Sequence, residues 1–344
     1  MGFKAPLIHV GEKILGLGPL ERLRARLLFA RGAHTAIALV RRMRKRAPRP
    51  PRAPALVLAY HRIATQANGW EPTRPLDVRL DIFRAQMEAL RERFEVVPLD
   101  CILEPGDGGS RLRAAVTFDD GYRDNLELAH PVLYSLGLPA AVFVTTRWLG
   151  GAAPFWWYEL EELSRRGALG PPANGSRWAA YLREVAVLKN LSDEQRGARL
   201  DEIRSRVPPA GDHSWAPRML SLHDLRAMDR SGIWTIGGHT HGHPILARVP
   251  IETARAEIIE NKKVLEEILG HPLRWFAYPN GGTGDFGEEH VRILCQAGYL
   301  GALTGLSPWE ADGRDPFRIP RLSVSGLEGL AEFKNHLAGV FWPR

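Results

Sequence analysis

The chain has 344 residues, 44% hydrophobic and 25% charged, an ordinary globular composition with enough apolar material for one large core. Its two cysteines, Cys101 and Cys295, exclude a disulfide framework and a thiolate zinc site. Lys and Arg number 46 against 39 Asp and Glu, but 13 of the cations and only Glu12 and Glu21 fall in residues 1–52, leaving 33 against 37 beyond, a balance of −4; the basic character belongs to an N-terminal arm and argues against a nucleic-acid enzyme.

In that arm, Leu15, Leu17, Leu20, Leu23, Leu27, Leu28, Ile37, Leu39 and Val40 recur at roughly helical spacing among arginines. Such a helix either packs on the body with a solvated basic face or lies on an anionic membrane surface through residues 14–46, arginines on phosphates. Ala47 to Pro54 carries four prolines and reads as a stiff linker. The expected division is therefore an arm and linker over 1–54 and a catalytic domain over 55–344. Lys4, Glu12, Lys13, Arg22, Arg24 and Arg26 break any early apolar stretch, and Gly32 to Val40 is too short to span a bilayer. The expectation is a cytoplasmic chain, peripheral on the inner membrane if the arm binds lipid.

Beyond residue 55, short apolar runs alternate with amphipathic stretches. The runs are Leu56 to Ala59, Glu95 to Leu99, Ala114 to Phe118, Ala140 to Thr145, Trp234 to Gly237, Trp275 to Ala277, Gly301 to Thr304 and Phe317 to Val324; the helical stretches include Leu80 to Phe94 and Ile251 to Leu269. This rhythm predicts an α/β fold, a distorted (β/α) barrel of about seven parallel strands with chemistry at the strands' C-terminal ends. Residues 147–230, rich in Trp and Arg and mostly helical in pattern, read as an insertion over one rim.

Two segments carry chemistry. Val116-Thr117-Phe118-Asp119-Asp120-Gly121 ends an apolar run in two adjacent carboxylates, and Gly238-His239-Thr240-His241-Gly242-His243-Pro244 places three imidazoles within five residues. Neighbouring carboxylates at a strand end ionise together only where a cation shares the charge. His239 and His243, four apart around Gly242, are spaced to converge on one ion, with His241 behind them. Each segment has a plainer meaning alone, a helix-capping turn for Asp-Asp-Gly and a satisfied histidine for each imidazole. Together they supply a carboxylate and two imidazoles for a divalent metal and leave a second carboxylate to handle a proton.

In this order, Thr117-Phe118-Asp119-Asp120-Gly121 and His239-Thr240-x-x-His243-Pro244 resemble the first two motifs of the polysaccharide deacetylase family, carbohydrate esterase family 4 or NodB homology. Tyr60-His61-Arg62-Ile63 resembles the early Tyr-His motif of the branch that includes poly-N-acetylglucosamine deacetylases. Pro139 to Val144 resembles the strand after the first motif, and Phe276-Ala277-Tyr278-Pro279-Asn280-Gly281 the third motif.

The resemblance implies that Asp120, His239 and His243 bind a divalent ion, Zn²⁺ with Co²⁺ or Ni²⁺ as alternatives. It implies that Asp119 is the general base, and that Tyr122, through its backbone N–H, with Tyr278, Pro279 and Asn280, borders the substrate. Two departures matter. No late Leu-x-His motif stands where the family often has its general acid, His336 in Lys334-Asn335-His336-Leu337 being a poor match; His61 of the Tyr-His motif is the candidate instead. Ala277 replaces the arginine that often orients the base, and Arg321 is the candidate substitute. Trp157, between Trp156 and Tyr158, is a candidate stacking surface for a sugar ring.

The implied activity is metal-dependent removal of N-acetyl groups from amino sugars of a cell-surface or exopolysaccharide or its lipid-linked precursor. Deformylation or ester hydrolysis on a related sugar, and a catalytically degenerate sugar-binding protein, are the alternatives. The partner is an N-acetylated glycan or lipid-linked sugar, with no nucleic acid.

Overall fold

The computed structural model describes residues 55–65, 76–104, 111–151, 155–170, 177–209, 216–309, 311 and 313–339; the expected arm and linker over 1–54 lie outside them. The strands are β1 (Ala55–Tyr60), β2 (Arg62–Ala64), β3 (Asp77–Arg79), β4 (Phe94–Val96), β5 (Leu112–Phe118), β6 (Ala140–Val144), β7 (Trp234–Gly238), β8 (Trp275–Ala277), β9 (Gly301–Leu303) and β10 (Leu322–Ser323). The main sheet runs β10-β1-β5-β6-β7-β8-β9, with β4 also on β5, and every pairing in it is parallel. The backbone before β10 bonds β9, Thr304 N–H donating to Ile319 O (2.8 Å), while Val324 N–H donates to Ala59 O (2.9 Å) of β1. The edges of the curled sheet meet through that one segment, giving the distorted (β/α) barrel; β2 and β3 pair separately.

Strand alternation sorts the core. Val57, Ala115, Ala141, Phe143, Trp275, Ala277, Leu303 and Ile319 pack together inside the sheet, closed at the N-terminal end by Val97, Leu99 and Ile102. Their neighbours Leu58, Val116, Val142, Ile236 and Phe276 face the helices. Both faces are therefore apolar, which is why the strands read as nearly continuous apolar runs. The surrounding helices are α1 (Leu80–Arg93), α2 (His130–Leu136), α3 (Trp156–Arg165), α4 (Arg177–Lys189), α5 (Asp193–Arg204), α6 (Leu222–Arg230), α7 (Ile251–Leu269), α8 (Glu288–Gln296) and α9 (Leu330–Leu337). Helix α7 buries Ala254, Ile258, Asn261, Leu265 and Ile268 along one stripe. Helices α3, α4 and α5, within the predicted insertion, pack on each other through Leu160, Leu163, Tyr181, Val185, Leu188 and Ile203. No helix among the described residues is long and apolar enough to cross a membrane.

Two runs expected to be single strands are shorter. The run Glu95 to Leu99 leaves the sheet after Val96, because Pro98 has no N–H and Leu99–Cys101 forms a 3₁₀ turn that plugs the barrel. Within Phe317 to Val324, Pro320 interrupts the ladder, leaving a bridge at Ile319 and a two-residue β10.

Candidate active site

Inward-facing register positions run past the ends of β5 and β7 into chemistry. The alternation that puts Ala115 inside puts Thr117 and Asp119 inside, and that of β7 does the same for His239. At Asp120 the chain turns to φ +73°, a region rare for non-glycine residues, so the next carboxylate also reaches the cleft instead of the helix side. Thr240, His243 and Asn280 are the other non-glycine residues with positive φ among those described, and all lie on the loops after β7 and β8.

Asp120, His239 and His243 converge. Their ligand atoms lie within 4.8 Å of one another, Asp120 Oδ1 standing 3.3 Å from both imidazole Nε2 atoms. Asp120 is 2% exposed, and Oδ1 has no hydrogen-bond partner. A buried carboxylate oxygen left without a donor is costly. Two atoms each held about 2.1 Å from a common ion lie about 3.0–3.4 Å apart in tetrahedral to octahedral geometry, so the donor set and spacing fit a divalent cation. His239 Nδ1 lies 2.7 Å from Ala277 O; donation to that carbonyl fixes the proton on Nδ1 and turns the Nε2 lone pair to the cleft. Burial pushes the His239 pKa down, and Asp120 and Asp119 more than reverse it. Burial likewise raises Asp120, and the two imidazoles hold it well below the usual carboxylate range. His241 is turned elsewhere, its Nδ1 3.0 Å from Thr146 Oγ1.

Asp119 stands apart from these ligands in a bidentate pair with Arg321. Nη1 donates to Oδ1 and Nη2 to Oδ2, both at 2.7 Å, with both side chains buried. Arg321 is itself fixed by Nε–H to Thr304 O (3.0 Å) and Nη1 to Thr117 Oγ1 (3.2 Å), and that hydroxyl donates to Leu58 O (2.7 Å). Burial favours the neutral acid; the guanidinium more than offsets it and keeps Asp119 below its ordinary pKa, ionised and oriented.

His61 follows β1 and is half-buried, and its ring has no hydrogen-bond partner among the described residues. Burial lowers its pKa, opposed by the charges of Asp120 and Asp119, which places the imidazole among the same groups. Its backbone is gripped from the loop after β5: Asn125 Nδ2 donates to His61 O (2.8 Å) and Ile63 N–H to Asp124 Oδ1 (3.0 Å), while Arg62 Nε–H reaches Asp124 Oδ2 (3.0 Å). Sequence reasoning passed over Asp124, Asn125, Thr117 and Asn261. The available signals were two polar residues three and four positions after Gly121 and a lone polar residue on the buried stripe of α7.

The remaining candidates divide. Tyr122 has its ring fully buried and its hydroxyl accepting from Tyr158 OH (3.3 Å), while its backbone N–H has no partner among the described residues. Tyr278 is 1% exposed, its ring stacked on Phe286 (3.8 Å) and its hydroxyl donating to Phe317 O (3.1 Å), so its side chain serves the core. Pro279 is buried and Asn280 exposed at φ +58°. Half-buried Trp157 stacks on Phe155 (4.4 Å, 11°) with its ring centroid 5.1 Å from that of His243, an aromatic wall beside the ligand group. His336 is buried away from these residues against Glu328, Nδ1 to Oε2 3.1 Å.

Comparison with known proteins gives a family. A family model described as polysaccharide deacetylase matches residues 108–170 and 208–301. The unmatched stretch between them falls inside the helical insertion. No curated protein sequence matches the chain. Among solved structures, IcaB from Ammonifex degensii superposes with a TM-score of 0.56 at 18% identity, covering 86% of this chain and 100% of that one. A Streptococcus pyogenes deacetylase, PplD, solved in complex with acetate, gives 0.55 at 15%, again 86% and 100%. A polysaccharide deacetylase from Bacillus cereus gives 0.50 at 19%, covering 82% and 68%. At these identities the superpositions speak for the fold, while the matched segments contain Asp119, Asp120, His239 and His243. The chain carries a polysaccharide deacetylase domain, that of hydrolases acting on carbon–nitrogen bonds.

Proposed function

We propose that this chain removes N-acetyl groups from amino sugars of a cell-surface or exopolysaccharide, or of its lipid-linked precursor, with a divalent ion, Zn²⁺ or alternatively Co²⁺ or Ni²⁺, held by Asp120, His239 and His243. One observation carries the reading: a buried, unbonded carboxylate oxygen faces two imidazole nitrogens while a second carboxylate, ionised and clamped by Arg321, stands beside them. When bound, the ion polarises the acetyl carbonyl and lowers the pKa of attacking water. The chain's own residues do the rest. Asp119 takes the proton from water, with Arg321 fixing its orientation. The backbone N–H of Tyr122 donates to the developing oxyanion. His61 protonates the departing amine, and Trp157 offers an apolar face to the sugar ring. Domain 55–344 is the catalytic unit, and residues 14–46 bring it to an anionic membrane surface on the cytoplasmic side.

Purified protein incubated with N-acetylglucosamine oligomers and Zn²⁺, Co²⁺ or Ni²⁺ is expected to release acetate, and Asp119→Asn to retain the metal while losing at least 100-fold in turnover, in line with general base catalysis. Formate release in place of acetate would assign a deformylase at the same centre, turnover of esters alone an esterase, and tight glycan binding with no turnover a sugar-binding protein. For the arm, full-length chain is expected to sediment with phosphatidylserine liposomes and residues 53–344 to stay in the supernatant; equal sedimentation would end its membrane role.

A further inference from the structure

One buried amide stands between the end of β6 and the ligand loop. Asn261 of α7 is fully buried. Its Nδ2 donates to Thr240 O (2.6 Å) and Val144 O (2.8 Å), with Thr146 Oγ1 at 3.3 Å, and its Oδ1 accepts the backbone N–H of His239 (3.2 Å). Strands β6 and β7 pair only as far as Val144 and Gly238. Beyond that register the ladder lapses until Arg147 N–H donates to His241 O (3.0 Å), and Val144 O, Thr240 O and the His239 N–H are left without strand partners. The amide takes the place of the missing ladder bonds, meeting two carbonyls and one N–H from a single side chain. Only a carboxamide offers two donors and an acceptor in one plane.

The same contacts hold a backbone conformation that the sequence alone would not choose. Thr240 lies at φ +65°, unfavourable for a β-branched residue. Asn261 fixes its carbonyl, while its Oγ1 accepts the N–H of His243 (2.9 Å). The stretch from His239 to His243 is thereby hung at both ends. Space admits little drift, since a Cβ on Gly238 would come within 2.6 Å of Asn261 Oδ1 and 2.5 Å of Tyr299 OH. Thr146, the amide's fourth neighbour, also holds the His241 ring away from the ligand group.

We propose that Asn261 is a positioning residue for the metal centre, setting the spacing of the His239 and His243 imidazoles against Asp120 so that the folded chain meets an ion with its ligands already in place. The proposal rests on the metal reading of the site above. Asn261→Ala and the smaller polar Asn261→Ser are the tests, read on folded protein by Co²⁺ competition against a chromophoric chelator and by the visible spectrum of bound Co²⁺. Co²⁺ affinity is expected to fall 10- to 100-fold, the range for losing a residue that orients a ligand, with a shifted visible band, and Ser to recover part of the loss. Affinity within twofold of the unsubstituted chain and an unchanged spectrum in either folded variant would overturn the role. So would failure of both to fold under conditions where His239→Ala folds, because Asn261 would then serve the fold alone. If the unsubstituted chain itself binds no Co²⁺, the metal reading fails first, a result distinct from the other two.

Discussion

Asp120, Thr240, His243 and Asn280 share left-handed backbone at the C-terminal ends of β5, β7 and β8. Each such residue costs on the order of 1–3 kcal/mol, held there by its surroundings. At Asp120 the result is concrete: two successive carboxylates face one cleft, where an extended chain would send the second to the opposite side. Asp119 then depends on Arg321. Arg321→Met is expected to destabilise the fold by about 3–5 kcal/mol in urea unfolding, because it leaves a buried carboxylate without its cation. Asp119→Asn/Arg321→Met should lose much less, since neither charge is left unpaired. Equal losses in the single and double variants would mean that the pair contributes nothing to folding beyond its packing.

At the scale of elements, the C-terminal end of β7 is closed by sterics as much as by hydrogen bonds. A Cβ on Gly237 would meet the Phe143 ring at 2.5 Å and Trp275 O at 2.9 Å. Gly237→Ala is therefore expected to cost about 1–3 kcal/mol by overpacking and to weaken metal binding by displacing His239 two residues on; a variant with unchanged urea midpoint would show that β7 has room to shift. This crowding also explains what the sequence made legible. Helix α7 fell on its expected range, Ile251–Leu269, because its apolar stripe is long and ends at Gly270 in left-handed conformation. Strand β8 matched, Trp275–Ala277, because every position in it is buried. By contrast, β2 and β3 were invisible, since three-residue strands with one buried position each have no period to read. The convergence of Asp120, His239 and His243 was legible from residue type and spacing, whereas the Asn125 grip on the His61 carbonyl and the Asp124 grip on the Ile63 N–H join segments about 60 residues apart that no local pattern connects.

Across the whole molecule, the centre exists only when the barrel is closed. Asp120 and His239 come from strands separated by the helical insertion, and the Asp119–Arg321 pair spans 202 positions from β5 to the closing segment beside β10. An unfolded chain brings none of these groups together, so an ion that binds the folded site stabilises the entire domain by mass action. At a free ion concentration of 100 times Kd the gain is about 2.7 kcal/mol, which for a domain of this size corresponds to a rise in Tm on the order of 5–10 °C. Thermal unfolding with Zn²⁺ should therefore give a higher Tm than with EDTA, and His239→Ala or His243→Ala should abolish the difference. His239→Ala should also lower the EDTA value, because it removes the buried bond from Nδ1 to Ala277 O. Identical Tm values in Zn²⁺ and EDTA for the unsubstituted chain would show that the three side chains meet without holding an ion, leaving the fold of a deacetylase without its chemistry.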